Sequence, residues 1–234
     1  MPDKDLPLKG VPGKAVLAVV DKAVETRWDD ALRAAREAPG ATPDARSAAI
    51  ATQFTRQLAG LGAAAGGTAA LPGVGTIAAI GTTTAELAAF AFRASEMVMA
   101  IGAAQGHTSA TEEQRRAWVL SVLAFGDDAA QGYSTIVSSL GGAKALAAAQ
   151  GSAGWFHTVN RYLGRKLIAR FGAREGAAAL GRLLPFGIGA AFGGGTNWFM
   201  ARAIAKDAAR LFRQLPADLV ALPPPPPRPA GLPA

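Results

Sequence analysis

From Gln57 to Ala85 the chain carries no charged side chain, a run of about 29 residues, longer than the roughly 20 apolar residues that cross a bilayer as a helix. The run is nevertheless a poor membrane span. Gly60, Gly62, Gly66, Gly67, Gly73, Gly75 and Gly81 dilute its hydrophobicity, the threonines at 68, 76 and 82 to 84 add hydroxyls, and Pro72-Gly73 divides it into two short halves. Two helices buried against each other and meeting at a bend satisfy this composition better. A second Leu-Pro break, Leu184-Pro185, sits in another Ala/Gly-rich stretch. The expected fold is therefore all-α, a single helical bundle of bent, Ala/Gly-rich helices. The loose likeness of its halves suggests a pseudo-symmetric pair of helical hairpins. No period-2 strand pattern occurs in the sequence.

The apolar spacing marks the individual helices. Leu17, Val20, Val24, Trp28, Leu32 and Ala35 recur at intervals of three and four, which predicts one amphipathic helix over residues 14–38, ended by Pro39-Gly40. Pro43-Asp44 opens the next, through Ile50, Phe54 and Leu58. After the bend, Ile77, Leu87, Phe90, Met97 and Ile101 continue a helix to Gln105-Gly106. Ser109 or Thr111, followed by Glu112-Glu113, starts a helix over 113–125, and Gly126-Asp127-Asp128 starts another over 129–140. Residues 154–171 place Trp155, Val159, Tyr162, Leu163 and Leu167 on one side and Arg161, Arg165, Lys166 and Arg170 on the other. A short helix over 174–184 and a long one over 187–215 follow, the latter offering Phe192, Phe199, Ile204 and Phe212 for packing. The domain limits read as a flexible N-terminus at 1–13, a helical domain at 14–215 and a Pro-rich disordered tail at 216–234. Pro223 to Pro227 give that tail polyproline character, which also suits a polyproline-reading partner.

Half of the residues are hydrophobic, ample for a core, but many are alanine, so a tight interior with a few large Phe and Trp knobs is expected. The absence of cysteine excludes disulfides, thiolate catalysis and Cys-bound metal, and agrees with a reducing compartment. The first residues, MPDKDLPLKG, lack the basic and apolar segments of an export signal. A cytoplasmic location follows, extending to the inner face of the membrane if the surface binds lipid. The formal charge of +7 favours anionic surfaces. Nucleic acid is not expected, because interleaved aromatics on an Arg-rich platform are missing.

Recognisable catalytic chemistry is also missing. His107 and His157 have no metal-ligand spacing, and Gly151-Ser152-Ala153-Gly154 lacks the strand-turn-helix setting of a nucleophile elbow. Gly73-Val74-Gly75 and Gly187-Ile188-Gly189 do not continue into phosphate-loop patterns. No catalytic residue, metal or cofactor is assigned. Glu86, the first charge after the neutral run, shares a helix with Arg93 and Glu96, while Asn197 and Arg202 follow Gly193-Gly194-Gly195. A buried carboxylate needs a partner, so Glu86, Arg93, Asn197 and Arg202 are a candidate buried polar network or ligand pocket. An internal ion-pair network that sets helix register accounts for the same residues. A second candidate surface, Arg161, Arg165, Lys166, Arg170 and Arg174, suits anionic headgroups.

Two segments carry a resemblance. Residues 62–76, GAAAGGTAALPGVGT, precede a helix ending before Gly106, and residues 183–198, LLPFGIGAAFGGGTNW, are followed by Ala208-Ala209-Arg210-Leu211-Phe212. Together they resemble the signature regions of the EcsC protein family, over about residues 45–215. The most specific element is Pro185, Gly187, Gly189, Gly193 and Asn197 at their mutual spacing. Family members often have Tyr-Gly where this chain has Gln105-Gly106. The resemblance implies a bacterial protein of a family named for an operon shared with ABC-transporter components, and it supplies no agreed catalytic residues.

Three functions remain in contention. The first is a non-enzymatic, peripheral membrane-associated or lipid-binding protein, with an anionic membrane surface or lipid as partner. The second is a scaffold or transporter-accessory protein that docks on a protein partner. The third is a hydrolase with an unrecognised site. An apolar cavity lined by Phe90, Met97 and Phe199 would favour lipid handling, and a solid core would favour docking. The sequence holds no signal for an oligomeric state.

Overall fold

Thr42 shows how local chemistry sets the helix limits. Its hydroxyl accepts a hydrogen bond from the Ala45 amide at 3.1 Å, and its carbonyl accepts one from the Arg46 amide. Pro43, with no N–H to strand, occupies the first helical position. The computed structural model describes residues 12–69, 76–139, 153–172 and 193–214, and these are helical apart from short connections, with no strand among them. The elements are α1 (Pro12–Thr26), α2 (Trp28–Glu37), α3 (Pro43–Ala69), α4 (Thr76–Ala104), α5 (Glu112–Phe125), a 3-10 turn (Gly126–Asp128), α6 (Ala129–Ser139), α7 (Ala153–Gly172) and α8 (Gly193–Gln214).

The all-α bundle is as expected, and Thr111 is the cap of α5. Its side chain accepts from the Gln114 amide while the Gln114 side chain accepts from the Thr111 amide, a complete capping box. Both Leu-Pro breaks, the 174–184 segment and the proline tail lie outside the described residues.

The single helix expected over 14–38 is two helices. Arg27, at φ −109° and ψ 8°, separates α1 from α2. The Thr26 hydroxyl donates to the Lys22 carbonyl at 2.7 Å, a local bond of the kind that bends helices. Asp29 and Asp30 then suit the first turn of a new helix. The apolar periodicity cannot register this break, because it resumes almost in phase on the far side.

Helix α4 is the centre of the bundle, contacted by α1, α2, α3, α5 and α8. Met97 through Ile101 are fully buried, as befits a helix apolar around its whole circumference. Its Leu87–Ala104 segment is long and apolar enough to cross a membrane, with a mean hydropathy of 1.4 over 18 residues, but 72% of it is buried inside the protein. This is the signature of a core helix. Of the uncharged run, residues 57–69 end α3 and residues 76–85 begin α4.

Helix α3 runs antiparallel to both α4 and α8. Gln105 at the end of α4 donates from Nε2 to Asp44 Oδ1 (2.9 Å) and Ser47 Oγ (3.1 Å) at the start of α3. At the same end Arg213 Nη1, from the end of α8, lies 3.9 Å from Asp44 Oδ2, and farther along α3 Asn197, near the start of α8, donates to the Leu58 carbonyl at 3.3 Å. On the other flank, Arg116 of α5 makes two bonds to the Asp21 carboxylate of α1 (2.7 and 3.1 Å). Asn160 of α7 donates to the Glu113 carbonyl (3.0 Å).

Two aromatic expectations are corrected. Tyr162 is 47% exposed and Phe199 59% exposed. Helix α7 buries Phe156, Val159, Leu163 and Leu167, and α8 buries Ala201, Ala205, Ala208, Leu211 and Phe212. Tyr162 and Phe199 fall between these stripes, on the outward side. Phe90 joins Leu58, Ala94 and Ala201 in a small cluster, whereas Met97 belongs to the main core. Phe90 and Met97 thus belong to separate packed clusters, and Phe199 is exposed.

Candidate functional site

The antiparallel pairing of α3 and α8 leaves a groove along its outer side, with a volume of about 610 Å³. Its floor is made of small side chains, Ser47, Ala51, Thr55, Ala205 and Ala209, which keep it deep. Its rim carries Arg56 from α3 and Trp198, Arg202, Lys206 and Arg213 from α8. The α8 contributors follow from helical geometry: steps of four and seven residues from Trp198 keep returning to one face.

Charge is distributed unevenly along this groove. At one end Asp44, which accepts from Gln105, also faces Arg213 at 3.9 Å. Towards the other end stand Arg56, Arg202 and Lys206, all exposed, with no carboxylate within ion-pair distance among the described residues. The Arg202 guanidinium stacks over the Trp198 ring at 5.3 Å, and Trp198 meets Phe199 edge-on at 4.9 Å. Aromatic surface, cations and the hydroxyls of Thr52 and Thr55 therefore converge on one patch. Such an arrangement is suited to an anion, by charge and by hydrogen bonds.

The candidate network from the sequence is not brought together as one. Arg93 Nη1 reaches Glu96 Oε2 at 2.6 Å, its other amine contacts Gln57 Oε1, and its guanidinium lies over the Phe54 ring. Glu96 receives a second arginine, Arg27 Nε at 2.8 Å, and this hydrogen bond raises the Arg27 pKa. Among the described residues, Arg93, Glu96 and Arg27 thus form an ion-pair cluster that contains only Arg93 of the four candidate residues. Asn197 ties α8 to α3 through the Leu58 carbonyl, and Arg202 faces the groove. The Glu86 side chain lies outside the described residues.

Of the second candidate set, Arg161, Arg165 and Lys166 are exposed on α7, while the Arg170 side chain and Arg174 lie outside the described residues. His157 is exposed as well. His107 packs against the rings of Trp118 (5.7 Å) and Phe212 (5.4 Å), and burial lowers its pKa. Its place is structural. No group of three or more His, Asp or Glu side chains among the described residues is arranged to hold a metal ion.

A separate, apolar groove of about 700 Å³ opens between α1, α3 and α4, lined by Val19, Leu61, Ala88 and Phe92 among others. Leu61 is 42% exposed there. The chain was compared with protein-family models, curated proteins and solved structures, and it matches none of them.

Proposed function

We propose that this is a non-enzymatic, peripheral membrane protein of the EcsC kind that binds anionic bilayer surfaces through the outer face of α3 and α8. The observation that carries the proposal is the exposed Phe199 ring beside Trp198, in line with Arg202 and Lys206 and across the groove from Arg56. Aromatic rings partition into the bilayer interface, and each cation near an anionic surface contributes about 1 kcal/mol. Three such cations and one aromatic give reversible attachment. Enclosed lipid tails are not part of this reading, since Phe90 and Met97 sit in packed clusters.

Flotation with vesicles tests the proposal. The protein should float with phosphatidylcholine vesicles containing about a third phosphatidylglycerol, and not with pure phosphatidylcholine. Raised salt should release it. Phe199→Ser should weaken flotation without altering the thermal midpoint. Absence of flotation at low salt would remove the idea.

The apolar groove beside Leu61 favours a second reading, docking on a protein partner. Leu61→Asp should then abolish copurification of that partner and leave flotation untouched.

A further inference from the structure

Resting on the membrane-surface reading, we infer that the α3–α8 groove is a discrete site for a phosphate ester, the headgroup phosphate of an anionic phospholipid. Arg202 and Lys206 stand one turn apart on α8, and Arg56 faces them from α3 across the groove. A tetrahedral phosphate lying between the two helices presents oxygens to both sides at once. The cations alone would make a diffuse patch; the small floor makes a recess. Ala51, Ala205 and Ala209 leave room, and Thr52 and Thr55 bring hydroxyls to it. The Thr52 hydroxyl donates to the Ala48 carbonyl at 2.9 Å, so its oxygen remains an acceptor for a protonated ligand atom. The Thr55 hydroxyl lines the same recess from a largely buried position.

The groove also has a direction. Asp44 disfavours an anion at the Arg213 end, so the phosphate belongs at the Arg56, Arg202 and Lys206 end. Trp198 holds the Arg202 guanidinium by stacking on that side, and Phe199 packs edge-on against Trp198. A headgroup seated there has an aromatic pair beside it for the interfacial part of the lipid. This pairing of a charged recess with an exposed aromatic selects a lipid over a free phosphate.

The test compares the full chain with Arg56→Gln/Lys206→Gln and with Arg161→Gln/Lys166→Gln. Monomeric dihexanoylphosphatidylglycerol, kept below its micelle concentration, and sn-glycerol 3-phosphate are titrated by calorimetry, alongside vesicle flotation. The groove variant should lose about tenfold or more in affinity for the short-chain lipid and in flotation. The α7 variant should hold its short-chain lipid affinity to within about twofold. Equal losses in the two variants, or none in the groove variant, overturn the site while leaving the membrane reading intact. If glycerol 3-phosphate binds as tightly as the lipid and vesicles do not float, the lipid assignment and the membrane reading both fall. The Trp198 indole NMR resonance of the unmutated protein provides a check independent of variant folding. It should move on titration with short-chain lipid, and a stationary resonance overturns the site.

Discussion

Arg27 Nε lies 2.8 Å from Glu96 Oε2, joining the bend between α1 and α2 to the central helix α4. Arg93 approaches the same oxygen at 2.6 Å, and the Glu96 side chain is only 4% exposed. Removing the carboxylate leaves two part-buried guanidiniums facing each other. Glu96→Gln should therefore destabilise the fold by about 2–3 kcal/mol, somewhat less than a fully buried broken pair because both arginines retain some solvent. Urea denaturation measures this directly. Arg27→Gln should cost less, since Arg93 still holds Glu96.

Gly102 is fixed by a neighbour. A Cβ added there would lie 2.7 Å from Phe212 Cζ. Phe212 cannot easily yield, because it is buried and edge-on to Trp118 at 5.1 Å. Gly102→Ala should cost about 1–3 kcal/mol by overpacking. Phe212→Leu should recover part of that loss in the double variant, a coupling that a thermodynamic cycle of melting curves would expose.

His107 gives a pH signature. Burial lowers its pKa in the folded state, whereas in the unfolded chain it titrates near 6.5. As pH falls through about 6.5 the unfolded chain takes up the proton first, so stability declines over the interval down to the lowered folded value. Above that interval this residue contributes no pH dependence. Thermal midpoints of His107→Gln between pH 7.5 and 5 should show a shallower decline than the unmodified chain.

Thr111→Ala removes the side-chain acceptor of the α5 cap and should cost about 1 kcal/mol. Thr111→Ser should restore most of it. An unaltered melting curve for the alanine variant would show that the cap contributes nothing.

Helix starts and stops were legible where the signal is local. Pro43, the Gly106 turn and the Thr111 cap each act through the next few residues, and each stands where the sequence implied. The bend at Arg27 was not legible, because the apolar periodicity runs through it and the carboxylate that Arg27 bonds lies 69 positions away. The site followed the same logic. Arg161, Arg165 and Lys166 drew attention because they are neighbours in the chain. Trp198, Arg202, Lys206 and Arg213 form an equally regular stripe on one helix, yet its meaning depends on Arg56 and a floor of small residues from α3. Only the antiparallel pairing of two distant helices creates the recess.

Helix α3 keeps two kinds of contact apart. Arg56 faces the groove, while the adjacent Gln57 contacts Arg93 on the other side and Leu58 anchors α8 through its carbonyl. Neighbouring positions on α3 thus line the groove and tie the bundle together separately. Substitutions at 52 and 56 alter the lining of the outer face while leaving the contacts of Gln57 and Leu58 in place.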